Sequence, residues 1–203
     1  MDQKIDRGQL TRQHIITTAT RLFAEQGYLP TSIELILRAC DISRGALYHH
    51  FPSKEAVFTA VVEAVEEDVL RQLAAAGQGA SGAMESLTAG CAAWLHMAND
   101  PVIRQIVLID APAVLGWTAW RAIEARYSLG VLKAGLSAAA REGRLRPNMV
   151  DTYAHVMLAM LTELAMLIAR SDNSAAAITA GEEAVRQFLS AIVGGDSVVS
   201  GPA

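Results

Sequence analysis

Residues 31–54 read TSIELILRACDISRGALYHHFPSK, and the order of caps, breakers and apolar residues in this stretch decides the fold. Thr31 and Glu34 have the spacing of a capping box, in which each side chain satisfies an orphan amide of a starting helix. Ile33, Ile36, Leu37 and Cys40 follow at helical spacing, so a short helix is expected to end near Cys40. Asp41 and Ile42 make the turn, since Asp tolerates turn conformations. Ser43 then caps a second short helix. Leu47 and Phe51 lie four apart and face inward, Pro52 stops the helix, and Ser53 caps the next one, with Val57, Val61, Ala64 and Val65 on one face. Two short helices joined by a three- or four-residue turn form a helix-turn-helix corner, which any small helical bundle can contain.

The side chains left outside distinguish this corner. With Leu47 and Phe51 inward, Arg44, Gly45, Tyr48 and His49 fall on the outer face, and hydrogen-bond donors of this kind read bases and hold phosphates. Arg44 can donate two hydrogen bonds to a guanine edge or bind a phosphate. Ala46 can touch a thymine methyl. Tyr48 either reaches a phosphate with its hydroxyl or packs half-buried on the preceding helix. His49 and His50 diverge around a helix, which suits one for DNA and makes them poor joint metal ligands. Gly45 weakens the helix but permits close backbone approach. Helix starts near Thr31, Ser32 and Lys54 offer amides for phosphates, with Lys54 either adding charge there or standing solvated.

Working outward, residues 1–8 form a polar arm in which Lys4 and Arg7 either fray or touch DNA. A helix over 9–26 buries Ile15, Ala19, Leu22 and Phe23, and Gly27 and Pro30 end it. The 203-residue chain is 52% hydrophobic with a mean hydropathy of +0.26, enough for one large domain or two small ones. Its net charge of −4 gives no general affinity for nucleic acid. Residues 1–60, however, hold seven Lys/Arg against six Asp/Glu, and the remainder ten against fifteen, so the positive excess sits with the helix-turn-helix. Cys40 and Cys91 lack metal spacing and read as reduced, buried thiols of a cytoplasmic protein. The start MDQKIDRGQLTRQ is too polar for a signal peptide. The longest apolar run, 153–169, contains His155 and Glu163 and is expected to fall short of a membrane span, so no membrane partner is expected.

The run over 11–62, with ATRLFAEQGY, TSIELILRACDISRGALYHHFPSK and EAVFTAVVE, resembles the N-terminal domain of TetR-type (tetracycline-repressor-like) transcriptional regulators. The resemblance implies an all-α chain of about nine helices: a helix-turn-helix DNA-binding domain over 1–54, a helical ligand-binding and dimerisation domain over 55–195, and a disordered tail over 196–203. It implies a homodimer on a near-palindromic double-stranded operator, released by a small, mainly apolar effector, with repression as the default and no cofactor. Carried over by position, Thr31, Ser43, Arg44, Gly45, Tyr48, His49 and Lys54 match places where the family touches DNA. Asp41 departs from the frequent turn glycine, and Leu37 and Cys40 replace common alanines.

Beyond residue 71 the pattern is helical, with helices expected over 83–98, 101–109, 117–142, 148–170 and 175–193. Asn99 or Asp100 caps the second of these. The helix over 148–170 is apolar on nearly every side, which requires burial all round, either under its own domain or against a partner chain. With the last helix it would supply a four-helix dimer interface through Leu161, Leu164, Ile168, Val185, Phe188, Leu189 and Ile192. The segment DAPAVLGWTAWR over 110–121 is similar to one found in a subgroup of these regulators. Trp94, Met97, Trp117 and Trp120 line an effector pocket or simply fill the core. His155 and Glu163 are polar groups on apolar helices, with the same two readings. An enzyme is not expected: there is no nucleophile elbow, phosphate-binding loop or His pair at i, i+4. A helical small-molecule binder without operator binding is the alternative.

Overall fold

A computed structural model describes the backbone of residues 2–194 and the side chains of residues 8–193. The expected roles of Lys4 and Arg7 and the expected disordered tail lie outside these described residues. The described backbone is helical, and no strand occurs in it. The described residues cluster into two compact units, one comprising 2–67 with 100–121 and the other 68–99 with 122–194. The units therefore do not divide at 54/55: sequence punctuation at Pro52-Ser53 marks a helix start, while packing continues along the helix it starts.

The first unit contains α1 (Asp2–Gln26), α2 (Ile33–Cys40), α3 (Arg44–His50) and the first half of α4 (Lys54–Ala76). α1 begins before the expected start at 9, because Gly8 alone weakens a helix by only about 1 kcal/mol and does not stop it. Its buried stripe is Ile15, Ile16, Ala19, Leu22 and Phe23. Gly27 ends α1 at φ +80°, a left-handed conformation that glycine adopts without steric cost. Phe23, Tyr28 and Phe58 then form an aromatic cluster with centroids 4.9–5.7 Å apart, which holds α4 to α1. Leu47 and Phe51 are buried with Ile36; each side chain of this size contributes about 1.5–3 kcal/mol. Ala64 is half-buried.

Residues 100–121 pack in this unit although they lie far away in sequence. Asp100 caps the segment, its Oδ1 accepting from the amides of Val102 and Ile103 at 2.8 and 3.3 Å. A π-helical stretch, Ile103–Asp110, packs on α1 with Ile103, Ile106, Val107 and Leu108 buried. It leads into α6, Ala111–Glu124, which follows α5 (Ala83–Met97) in chain order. Gly116 breaks α6 with φ 76° and ψ 157°.

In the second unit α5 packs against α7 (Gly130–Arg141), α8 (Val150–Arg170) and α9 (Ser174–Gly194). A second π-helical turn, Ala125–Leu129, precedes α7. The single helix expected over 117–142 is thus α6, this turn and α7. The α5 amide terminus is served by Glu142, whose carboxylate accepts from the Ala83 amide at 3.0 Å. Leu87, Cys91 and Leu95 of α5 meet Leu132, Leu136, Met157, Leu158, Leu161, Ala165, Ile168, Val185 and Leu189 in the core.

One expectation for α8 needs correction. By length and composition the helix over 147–170 does reach the requirement for a membrane span; its inward residues Ala154, Met157, Leu158, Leu161, Ala165 and Ile168 are buried within the unit. Within the one protomer part of its apolar surface stays open, Val156 being 45% and Leu167 54% exposed. Apolar composition on every face fixes neither what covers a helix nor how completely.

Candidate nucleic-acid interface and small-molecule cavity

The helix-turn-helix is built from local hydrogen bonds. Ser32, not Thr31, caps α2: it is extended (φ −92°, ψ 160°), and its Oγ accepts from the Leu35 amide at 3.1 Å. Thr31 is fully buried, its hydroxyl donating to the Gly27 carbonyl at 2.8 Å. This hydroxyl locks the preceding corner, so what the helix start near Thr31 and Ser32 would offer a phosphate is its amides and not the Thr31 side chain. Asp41 adopts the left-handed turn (φ 52°, ψ 47°) with its amide pointing back to the Arg38 carbonyl. Ser43 Oγ accepts from the Ala46 amide at 3.2 Å and starts α3 as expected.

The outer face of α3 presents Arg44, Gly45, Tyr48 and His49, with Ala46 and His50 half-buried and Ser43 exposed. Tyr48 is 42% exposed. The Arg44 guanidinium stands 6.0 Å from the Tyr48 ring centroid and forms an ion pair with Glu34 of α2. The Glu34 carboxyl is held below the usual carboxylate range by a backbone hydrogen bond first and the Arg44 hydrogen bond second. Arg44 is thus oriented across the turn by a carboxylate. The His49 and His50 rings, expected to diverge, touch edge to face at 5.1 Å. A Cβ built at Gly45 would meet nothing nearer than Ser43 Oγ at 4.0 Å, so packing within the chain does not require glycine there.

Lys54 is half-buried, which corrects the reading of it as a solvated surface lysine. Its ammonium donates to the carbonyls of Tyr28 at 2.7 Å and Thr31 at 2.8 Å, and it sits 3.9 Å from the Tyr28 ring centroid. Burial pulls its pKa down, opposed by the nearby Asp110. Asp110 in turn accepts the Tyr28 amide at 2.8 Å, so the corner after α1 is gripped from both sides. Lys54 thus locks carbonyls of its own chain at the start of α4.

The second unit contains a cavity of about 250 Å³. Its walls include Leu87, Gly90, Cys91 and Trp94 of α5, Glu124 and Ser128, Leu132 and Gly135 of α7, and Leu158, Leu161 and Thr162 of α8. Burial pushes the Cys91 thiol up to about 12, which makes it a hydrophobic wall group and not a nucleophile. Trp94 donates its indole N–H to the Leu161 carbonyl at 3.2 Å.

Of the six residues expected in a pocket, Trp94 lines this cavity. Met97 is half-buried outside its lining, and His155 and Glu163 are exposed on α8, His155 lying 3.8 Å from Asp151. Trp117 and Trp120 belong to the other unit, with rings 5.0 Å apart; Trp117 is exposed and Trp120 buried. Glu124 was not anticipated. A signal existed: it lies four residues after Trp120 and one after Ile123, both buried, so it continues an apolar face. The proposed interface residues Leu161, Ile168, Val185, Leu189 and Ile192 are buried within the protomer itself, and Leu164 and Phe188 are half-buried. A helical stripe shows which face is covered but not by what.

Comparisons with known proteins agree with this architecture. Residues 15–61 match the family described as "Bacterial regulatory proteins, tetR family", and 84–192 match "Tetracyclin repressor-like, C-terminal domain". The chain is similar to the crystal structure of a TetR-family transcriptional regulator from Pectobacterium atrosepticum, with a TM-score of 0.83 and 30% identity, covering 93% of this chain and 97% of that one. It is 40% identical over 70 residues to the HTH-type transcriptional regulator UidR of Escherichia coli (strain K12), covering 34% and 36% of the two chains. It is 33% identical over 107 residues to the HTH-type transcriptional repressor Rv1474c of Mycobacterium tuberculosis, covering 52% and 56%. The match spans about a third of UidR and about half of Rv1474c.

Proposed function

The chain belongs to the tetR family of bacterial regulatory proteins, and from that membership we propose that it is a cytoplasmic, homodimeric transcriptional regulator whose α3 helix reads a palindromic operator. Members of this family are transcriptional regulators, not enzymes. The observation that carries the reading is the division of α3: Leu47 and its cap Phe51 are buried while Arg44, Gly45, Tyr48 and His49 face outward. Arg44 takes a guanine edge or a phosphate, Tyr48 a phosphate, and Ala46 a thymine methyl. Ser32, Ser43, His49 and His50 flank this surface, and bare Gly45 lets the helix approach the groove. Thr31 and Lys54 hold the corner that positions α2.

Dimerisation is proposed through the outward faces of α8 and α9, where Val156 and Leu167 are exposed and Leu164 and Phe188 half-buried. Two recognition helices at fixed spacing fit successive major grooves. An effector in the second-unit cavity shifts the population toward a conformer with the wrong spacing, and repression is relieved. The test is a gel shift with Arg44→Ala and Tyr48→Ala: both are expected to lose specific operator binding while remaining folded dimers. Retained specific binding by both would overturn the assignment of α3.

A further inference from the structure

The cavity contains chemistry that a helical core does not need. Glu124 is 5% and Thr162 4% exposed, and both line a wall otherwise dominated by Leu87, Cys91, Leu158 and Leu161. Burying a carboxylate is costly unless hydrogen bonds compensate. Thr162 bonds Glu124 and also lies 2.8 Å from the Leu158 carbonyl. One hydroxyl proton serves one of these acceptors at a time, and a carboxyl group has acceptor capacity for more than one bond. Glu124 can therefore accept from a bound molecule in addition to its protein partners.

Space and shape point the same way. Gly90 lies inside α5 and lines the cavity, and a Cβ built there meets nothing within 4 Å. The volume of about 250 Å³ exceeds the roughly 150 Å³ that accommodates benzene and lies below the roughly 300 Å³ at which drug-sized pockets begin. With its N–H committed to Leu161, Trp94 contributes apolar surface.

We propose that the cavity selects a compact, largely apolar molecule with one hydrogen-bond-donating group, an amine or a hydroxyl, which docks on the Glu124 carboxylate while its body fills the space beside Gly90. Carboxylate-bearing molecules are rejected because burying an anion among these mainly apolar walls is costly. This rests on reading the second unit as the effector-binding half of the regulator.

Ligand-observed NMR titrations of the full chain without DNA test it, using benzylamine, benzyl alcohol, toluene and benzoate, which share a ring and differ in headgroup. A donor-bearing probe is expected to bind about tenfold tighter than toluene, the margin of one well-made hydrogen bond, with benzoate weakest. Glu124→Leu is expected to erase that margin and leave toluene unchanged. Gly90→Val is expected to abolish binding of all four without lowering the melting temperature, and this variant decides the matter if Glu124→Leu does not fold. Three results would overturn the proposal: benzoate or toluene matching the donors, no probe binding at millimolar concentration, or Gly90→Val leaving the affinities intact. A wrong ranking alongside intact operator gel shifts would leave the regulator standing. Failed operator binding with the expected ranking would overturn the regulator alone.

Discussion

Replacing Lys54 with Met separates a structural lock from a phosphate contact. Methionine keeps an apolar side chain of similar length but removes the ammonium that sits over the Tyr28 ring and reaches the Tyr28 and Thr31 carbonyls at 2.7 and 2.8 Å. Hydrogen bonds to a charged group are worth about 1.5–3 kcal/mol each. That range must be discounted here, because Lys54 is partly exposed and the released carbonyls regain water. A net loss of about 2 kcal/mol follows, or roughly 4–8 °C in melting temperature for a chain of this length. Operator affinity should fall through loosening of the corner ahead of α2, with the salt dependence unaltered. A phosphate contact would behave oppositely: each one lost lowers the slope of log K against log salt by about 0.9, hence about 1.8 for a dimer. Thermal melts and anisotropy titrations at several salt concentrations measure both quantities. An unchanged melting temperature with a reduced salt slope would refute the lock.

Further outcomes follow from other parts of the molecule. Arg44→Ala should raise the Glu34 titration midpoint toward its ordinary value of 4.5, read by carboxyl NMR. Because the folded value is the lower one, the stabilisation from this pair is present above pH 4.5 and lost as pH falls through the folded midpoint; an unmoved midpoint would break the pairing. Leu167→Glu places a charge on the exposed face of α8 and should yield a folded monomer in analytical ultracentrifugation, and a persistent dimer would locate the interface elsewhere. Cys91, with its thiol pushed up to about 12, should resist a thiol reagent in the native protein and react after unfolding; rapid native labelling would contradict its burial.

What could be read in the sequence was local. Leu47 and Phe51 four apart, Ser43 and Ser53 before their helices, and Asp100 before Pro101 each act within one turn, and each takes its expected place. The α2 cap was misplaced by one residue because Thr31 and Ser32 both carry a suitable hydroxyl. The choice between them depends on the Gly27 carbonyl, which the backbone path brings to Thr31. The acceptors of Lys54 lie 23 and 26 residues earlier, beyond the reach of any spacing rule, so its half-buried setting is not legible in the sequence. Residues 110–121 suggested a pocket wall through their tryptophans, but the break at Gly116 and the Asp110–Tyr28 contact place them in the first unit. The cavity instead draws on Glu124 and Thr162, 38 residues apart, and no local pattern pairs them.

The central claim is that α3 reads DNA as one of a symmetric pair. Selection from a pool of randomised duplexes tests it most directly, using the wild-type chain and an Arg44→Ala/Tyr48→Ala variant shown to be a folded dimer. The wild type should enrich an inverted repeat whose half-sites are centred about one helical turn apart or a multiple of it, and the variant should enrich nothing. Enrichment of the same sequences by both proteins, or of no sequence by the wild type, would contradict the account.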